Sequence, residues 1–492
     1  MTRSSDTIFA LSSGRLPSGV ALVRISGRAA RQAALALAGA VPPARVARYA
    51  VLRHPETREV LDRGLVLFFP GPRSATGEDL VELHLHGGPA VVAVILRTLG
   101  DLPGFRPAAP GEFTRRAHAH GKMDLAEVEG LADLIAAESE AQRRQALAQS
   151  AGALSRAVAG WRERLIRALA LVEATIDFAD EGDVPDDLTG PARVEAARLR
   201  AEIAAVVADA ARGERVRDGL VIAIAGPPNA GKSTLLNRLA GREAAIVSAT
   251  PGTTRDVLEV HLDLAGQAVI LVDTAGLRET DDAVEAEGVR RARARAGAAD
   301  LVLWLSEDGA PPPPDLPGAL AVWTKRDVGA GGAAPPVAAR DQGHPGAPLP
   351  APHSAGAARA PADGLGAGPG VGPADGPAKP SSGSPAGASA GVAPLAISAR
   401  TGAGMDDLIA EIERRAARLG GGEPALVTRA RQRHALAAAL IELDAALAIG
   451  AGGEDLLAEH LRLSARALDT VVGRVDVEDV LDALFRTFCI GK

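Results

Sequence analysis

The sequence predicts a multidomain protein: an N-terminal α+β domain, a discontinuous all-α helical domain, and an α/β P-loop nucleotide domain inserted between the two helical pieces. Three observations carry that expectation. Short β-like runs separated by Gly- and Pro-rich turns fill residues 1–120. Long Ala/Leu/Glu/Arg stretches with apolar residues three and four apart run from Leu125 to about Asp209 and return from about Pro424. Between them, from Leu220, the texture becomes strand, glycine loop and helix, repeated as an α/β unit repeats. The expected divisions are 1–120, 121–215, 216–420 and 421–492.

In the first division, Val20–Ile25, Gly64–Phe69 and Leu80–His86 read as strands. Within the third, residues 329–393 are dominated by Gly, Ala and Pro, contain no aromatic residue, and carry charges that cancel. Such a stretch cannot bury enough apolar surface to offset its ordering entropy, so a disordered insertion is expected there.

Composition narrows the class further. A 492-residue chain has room for about three domains, and 47% hydrophobic content supports real cores. With 54 basic and 61 acidic residues the formal net charge is −7, which argues against retention on nucleic acid by bulk charge alone. The single cysteine, Cys489, excludes an intrachain disulfide framework and suits a reducing compartment. The N-terminus lacks the apolar core of a signal peptide, and no apolar run approaches the ~18 residues of a membrane span. A cytoplasmic protein with no membrane partner is the expectation.

The chemistry is concentrated in the inserted division. The apolar run Leu220–Ala225 reads as a buried strand feeding Gly226-Pro-Pro-Asn-Ala-Gly-Lys-Ser233, with a helix continuing through Thr234. Strand, glycine-bounded loop and helix N-terminus form the context a phosphate-cradling loop requires. Asn229, Ala230, Gly231, Lys232, Ser233 and Thr234 are the candidate phosphate contacts. Lys232 is expected at the β- and γ-phosphates, and the Ser233 hydroxyl on Mg²⁺. A second strand, Ala268–Val272, ends in Asp273-Thr274-Ala275-Gly276, where the Asp can hold Mg²⁺ through water and the Gly276 amide can sense the γ-phosphate. Between them, Thr254 of Gly252-Thr-Thr254 can complete the Mg²⁺ shell. Leu320–Trp323 leads to Thr324-Lys325-Arg-Asp327, whose carboxylate can accept two hydrogen bonds from the N1 and N2 edge of guanine, which adenine cannot supply. Asn usually stands where Thr324 stands, and Thr supplies only part of Asn's hydrogen bonding. Leu395–Ile397 then leads to Ser398-Ala399-Arg400, a backbone clamp for the guanine oxygen. In this order the parts make a GTP site.

The water-positioning Gln that often follows the second switch is missing, since Leu277-Arg-Glu-Thr280 stands there. Transition-state charge and water orientation then need another source. Asn229 can coordinate a monovalent cation through its side-chain carbonyl. Glu285 can orient the attacking water through a bridging one; from spacing alone it reads equally as a solvated charge on a helix face.

At this point the chain resembles the MnmE (TrmE) family of tRNA-modifying GTPases over almost its full length. The resemblance rests on Gly19-Val-Ala-Leu-Val-Arg-Ile-Ser-Gly27, Thr76-Gly-Glu-Asp-Leu-Val-Glu-Leu-His-Leu-His-Gly-Gly-Pro89, Pro110-Gly-Glu-Phe-Thr-Arg-Arg116, Ile176-Asp-Phe-Ala-Asp-Glu181, the nucleotide motifs, and Phe488-Cys-Ile-Gly-Lys492. Residues 329–393 and Thr324 depart from the pattern. The resemblance implies a K⁺-stimulated GTPase whose nucleotide domains meet across a homodimer. The K⁺ would be held by Asn229, Ser248, Thr250 and Thr253, with Glu285 and Lys232 as the catalytic residues. It implies that the N-terminal division is a folate-binding and dimerisation domain for a 5-formyltetrahydrofolate-type cofactor, held by Arg24, Glu82, Lys122 and Lys492. Without the resemblance Arg24 and Lys122 read as surface charges. Cys489 matches the family's near-terminal cysteine, and reads either as a reactive thiol or as a small buried residue.

The function so implied is the addition of an aminomethyl-type or carboxymethylaminomethyl group to C5 of the wobble uridine of certain tRNAs. The flavoprotein MnmG is the implied partner, in a heterotetramer or larger complex. Two other readings stay open: a GTP-dependent ribosome-assembly or RNA-binding switch, and a folate-dependent one-carbon transferase that a GTPase domain regulates. The first usually carries a compact basic RNA-binding module, and the sequence shows none.

Overall fold

The computed structural model describes residues 6–177, 189–241, 245–246, 259–273, 297, 299–314, 316, 318–327, 395–474, 478–488 and 490–491. The expected insertion at 329–393 lies outside these residues, as do Ser248, Thr250, Thr253, Thr254, Thr274, Ala275, Gly276, Glu285, Cys489 and Lys492.

The chain opens with β1 (Thr7–Leu11), β2 (Ser18–Ser26), α1 (Ala30–Ala38), β3 (Arg48–Arg53), β4 (Val60–Phe69), β5 (Leu80–Gly87), α2 (Pro89–Gly100), β6 (Phe105–Pro107) and α3 (Glu112–Ala119). Its six strands form one sheet in the order β3-β4-β5-β2-β1-β6. Neighbours are antiparallel except β1 and β6, which run parallel. Alternation sorts the side chains of β2. Ala21, Val23 and Ile25 enter the core with Ala33, Leu37 and Ile95 of the two longer helices, while Arg24 takes the opposite face. On that face α3 adds Phe113 to Ile8 and Ala10.

Next come α4 (Leu125–Ala136), α5 (Glu140–Ser150), α6 (Ala153–Asp177) and α7 (Thr189–Asp218). The sequence starts α4 and α5 locally. Asp124 with Glu127, and Ser139 with Gln142, form reciprocal capping boxes that satisfy otherwise orphaned backbone amides. Much later, α10 (Ala430–Ala448), α11 (Glu454–Val471) and α12 (Glu478–Thr487) complete the helical layer. Its core joins Leu154, Trp161 and Leu165 of α6 to Leu199 of α7, Leu443 of α10 and Leu461 of α11. Buried alanines at the seams (Ala192, Ala196, Ala439, Ala458) let the helices approach closely, which suits a chain with only 2% aromatic residues. Gly213 of α7 meets the returning chain, where a Cβ would lie 2.0 Å from the Val427 carbonyl oxygen.

Between α7 and α10 lies the third unit: β7 (Leu220–Ala225), α8 (Lys232–Ala240), β8 (Ala245–Ile246), β9 (Glu259–Leu264), β10 (Gln267–Asp273), β11 (Leu301–Ser306), β12 (Leu320–Trp323), β13 (Leu395–Ala396) and α9 (Met405–Gly420). The sheet order is β13-β12-β11-β7-β10-β9-β8. From β13 to β10 it is parallel, with β9 and β8 added antiparallel. Leu408, Ile409 and Ile412 of α9 share its core with Leu235 and Leu236 of α8. The first strand thus has β10 on one side and β11 on the other. That is the topological switch point where doubly wound sheets bind ligands, at the strands' carboxyl ends.

The last helix ties this layer back to the first sheet. Leu481, Leu484, Phe485 and Phe488 pack on Leu125 and Val128. Beyond them Ile490 bridges to Pro110, and the Ser12 hydroxyl donates to the Gly491 carbonyl at 2.8 Å.

Candidate nucleotide-binding site

The switch point is where the predicted phosphate loop falls. Gly226 leaves β7 with φ +151°, and a Cβ there would lie 2.3 Å from the Leu305 carbonyl oxygen of β11. Asn229 holds a left-handed φ of 64° and Gly231 one of 89°, which turns the loop into the first turn of α8. Ala230 is buried, whereas Asn229, Ser233 and Thr234 are exposed. Lys232 Nζ donates to the carbonyls of Gly226 and Pro227, both at 2.9 Å, so its ammonium folds over the loop mouth.

Asp273 ends β10, level with Ile224 of β7. Its Oδ2 accepts from the Ser233 hydroxyl at 3.1 Å, while its Oδ1 is buried with no hydrogen-bond partner among the described residues. A hydroxyl beside a carboxylate with one orphaned oxygen is a donor set that fits Mg²⁺, a hard cation that takes oxygen ligands and keeps several waters.

The base-reading loop is equally specific. The Thr324 hydroxyl is buried and donates to the Ala230 carbonyl at 2.9 Å, with the Ser306 carbonyl a second acceptor at 3.2 Å. Thr324 therefore pins the phosphate loop to the base loop. Lys325 has φ 57° and pairs with Glu307, a partner the motif gives no sign of. Asp327 accepts from Ser398 Oγ at 2.6 Å and from Arg400 Nε at 2.8 Å. Those two bonds, the Ser398 one foremost, hold its carboxyl below the usual carboxylate range. Ser398 Oγ also accepts from the Thr401 amide at 3.1 Å, and Ala399 sits half-buried between the two. So the loop at 324–327 and the triplet 398–400 are brought together across 71 residues of sequence.

Of the four positions attached to the N-terminal division, the structure pairs two. Arg24 and Glu82 face each other across β2 and β5, and Arg24 Nη2 lies 2.9 Å from Glu82 Oε1. Arg24 also stacks 5.9 Å from the Phe113 ring centre. Lys122 is exposed, and its side chain makes no hydrogen bond or ion pair among the described residues. The sequence reading missed His84. It stands two residues from Glu82 on the same face, and its buried Nε2 has no hydrogen-bond partner among the described residues, with Glu82 Oε2 3.7 Å away. The signal was present as the alternation Glu82-Leu-His84-Leu-His86. A guanidinium, a carboxylate and an imidazole nitrogen on one sheet face fit a ligand with an amide-like edge and an anionic group.

Nothing in the nucleotide site is peculiar to one protein, but it fixes the class: a P-loop GTPase, here carried inside a helical layer. Comparison with known proteins narrows that class. A family model described as "GTP-binding protein TrmE N-terminus" matches residues 7–122, and one described as "MnmE helical domain" matches residues 125–489. The chain is 70% identical to the tRNA modification GTPase MnmE of Azorhizobium caulinodans, with 100% of each covered. It is 49% identical to the protein of the same description from Rhodopseudomonas palustris (strain ATCC BAA-98 / CGA009), again with 100% of each covered. Against that of Methylobacterium sp. (strain 4-46) identity is 50%, over 99% of this chain and 100% of the other. The chain belongs to the MnmE family of tRNA modification GTPases, and its activity is GTP hydrolysis in tRNA modification. No helix among the described residues is long and apolar enough to cross a membrane.

Proposed function

We propose that this protein, with the flavoprotein MnmG and as a homodimer in the cytoplasm, adds an aminomethyl-type or carboxymethylaminomethyl group to C5 of the wobble uridine of certain tRNAs. The observation that carries the reading is the joining of a GTP site to a polar sheet face by one continuous helical layer. The Arg24–Glu82 pair lies on that face, and Ser12, just past the neighbouring strand β1, donates to the Gly491 carbonyl. A 5-formyltetrahydrofolate-type cofactor supplies the one-carbon unit when bound there. Arg24 and Glu82 would hold it by a charge-assisted pair of cation and carboxylate. Lys122 and Lys492 add positive charge.

In the nucleotide site Lys232 gives up its carbonyl partners for the β- and γ-phosphates, and Ser233, Thr254 and Asp273 serve the Mg²⁺ shell. The Asp327 carboxylate selects guanine. Asn229, Ser248, Thr250 and Thr253 would hold K⁺, which would supply the transition-state charge that an arginine finger supplies elsewhere. Glu285 orients the attacking water.

Nucleoside analysis of tRNA from a strain lacking this protein tests the whole: unmodified wobble uridine is expected, and normal modification sinks the reading. GTP turnover tests the cation: it should rise when Na⁺ is replaced by K⁺ and fall by most of its value in Asn229→Ala or Glu285→Ala. Equal turnover in the two salts removes the cation from the mechanism.

A further inference from the structure

The formal charge of −7 is unevenly spread. Residues 1–120 carry 15 arginines and no lysine against nine carboxylates, so the first unit is basic and the rest of the chain acidic. From Thr7 to Pro55 there is no Asp or Glu at all. Strand register decides where these arginines collect. Leu80 of β5 pairs with Ser26 at the end of β2 and with Phe69 at the end of β4, and Arg48, the first residue of β3, pairs with Val66. The ends of β2 and β4 and the start of β3 therefore share one end of the sheet. Arg28 follows β2, Arg31 stands three residues on in α1, Arg45 and Arg48 lead into β3, and Arg73 lies in the loop after β4. All five are exposed, and none makes an ion pair among the described residues. No single stretch shows this surface; the fold assembles it.

Two of the five are held in place without being neutralised. Arg31 lies 5.7 Å from the Phe68 ring centre, and Arg45 5.7 Å from that of Phe69. Arg45 takes a left-handed φ of 63°, its amide donates to the Phe68 carbonyl at 2.8 Å, and its Nη2 donates to the Arg73 carbonyl. The Gly27 amide donates to the Asp79 carbonyl at 3.0 Å, and Asp79 Oδ1 accepts from the Gly71 amide at 2.9 Å, which sets Arg28 beside the loop of Arg73. A cation–π contact fixes a guanidinium while leaving its charge and outward donors for another partner.

The carboxylates at this end do not cancel the arginines. Asp6, Glu78 and Glu112 are held by Arg106 and Arg116, a cluster with one negative charge in excess, and Asp79 adds a second. Arg97 and Asp101, one turn apart at the end of α2, are opposite in sign. Five arginines against two negative charges leave an excess of three. Guanidiniums pair two-pronged with phosphate, and binding by counterion release needs such a local concentration of them. We propose that this end of the first sheet is a contact surface for the phosphate backbone of the tRNA substrate, carried by Arg28, Arg31, Arg45, Arg48 and Arg73. The inference rests on the tRNA reading above.

The test measures binding of the full-length protein to fluorescently labelled tRNA over a salt series from about 50 to 200 mM. Arg28→Gln/Arg48→Gln/Arg73→Gln removes three charges whose side chains hold no described contact, so the fold is kept. Kd should rise at least tenfold at the lowest salt, and the slope of log Kd against log salt should fall by about two to three, from ~0.7–0.9 per lost phosphate contact. Lysine at the same three positions should recover most of the slope. Arg15→Gln/Arg58→Gln/Arg63→Gln takes the same charge from the opposite end of the sheet and should leave Kd within about threefold of wild type. Equal Kd for the two glutamine variants overturns the inference. Light scattering and anionic vesicles examine the other partners. A variant that loses tRNA only by changing its oligomeric state, or that loses vesicles while holding tRNA, assigns the surface to a protein or lipid contact and overturns the inference too. Unmodified wobble uridine in the deletion strain, with no difference between the two variants, sinks this inference alone; normal modification there removes the tRNA reading itself.

Discussion

Thr324 stands where guanine-binding loops usually carry Asn, and it offers the sharpest test of how this nucleotide site is held. Its hydroxyl has one proton, and the shorter contact, 2.9 Å, goes to the Ala230 carbonyl of the phosphate loop. Ala230 is 1% exposed, so water cannot replace that donor. The Ser306 carbonyl is protected differently, because the Thr324 backbone amide donates to it at 2.8 Å whatever the side chain. Thr324→Val keeps the shape, deletes the hydroxyl, and leaves one buried acceptor unpaired. That loss costs about 1–3 kcal/mol. The bond joins two protein loops rather than protein to ligand, so most of the cost should appear as stability of the nucleotide unit and only part as affinity. We expect unfolding to become easier by about 1–2 kcal/mol, and the Kd for GDP to rise by no more than about tenfold, the equivalent of 1.4 kcal/mol.

Two tryptophans make the measurement direct. Trp323 adjoins Thr324, and Trp304 lies on the neighbouring strand opposite Ala321. Urea unfolding followed by their fluorescence gives the stability, and titration with a fluorescent GDP analogue gives the affinity. Thr324→Asn is the control: its amide restores a donor for the Ala230 carbonyl, so it should lie nearer to wild type than Val, despite the larger change of shape. A Val variant with an unchanged urea midpoint and a Kd within a factor of two refutes the argument, as does an Asn variant worse than Val.

Gly226→Ala places a Cβ 2.3 Å from the Leu305 carbonyl oxygen at a φ unsuited to alanine, so GDP binding should be lost along with part of the nucleotide unit's stability; near-normal binding by the same titration contradicts the packing. Ser398→Ala removes the main bond that lowers the Asp327 carboxyl. A lowered acid keeps its contribution above the ordinary carboxylate range and loses it as pH falls through its own pKa. With Ser398 gone the loss should begin at higher pH, so GDP affinity normalised to pH 7 falls earlier on acidification than in wild type, and the reverse order is the refuting result. Glu129, 3% exposed, accepts from Arg431 and from Gln432 at 2.8 Å. Glu129→Ala strands both donors and should cost the helical layer about 3–5 kcal/mol in urea unfolding, whereas a loss under 1 kcal/mol would show the cluster to be solvated.

What was legible in the sequence was whatever is written locally. The phosphate loop, the Asp-terminated strand and the Thr-Lys-Arg-Asp loop are short, and each contains its own strand end and turn, so residues 226–233, 273 and 324–327 fell where expected. The strands read as Val20–Ile25, Gly64–Phe69 and Leu80–His86 are parts of β2, β4 and β5, which extend one to four residues further at their ends. By contrast β1, β3 and β6 were not read. Phe105–Pro107 has three residues and a proline, and becomes a strand only because β1 offers it a parallel edge. Partners distant in sequence were likewise invisible: Glu307 for Lys325, and Ser306 and Ala230 for Thr324. Arg24 and Glu82 were singled out by family likeness, while their ion pair is a consequence of register between two strands.

The helical layer makes the same point about polar contacts. Ala, Leu and Val at helical spacing announced the bundle, but nothing in that periodicity shows that Asp133 sits where the chain passes both into and out of the nucleotide unit. Arg217 lies at the end of α7, immediately before β7 and the phosphate loop; Arg429 lies just after the nucleotide unit's last helix, at the start of α10. Both donate to Asp133 Oδ1. A rotation of the nucleotide unit about its two connections therefore cannot move one arginine without changing the geometry of the other at a shared, mostly buried carboxylate. Low dielectric makes such a contact costly to half-break, so the pair favours discrete arrangements over gradual drift. In a GTPase whose nucleotide unit is inserted between α7 and α10, that junction is the place where it is mechanically joined to the helical layer.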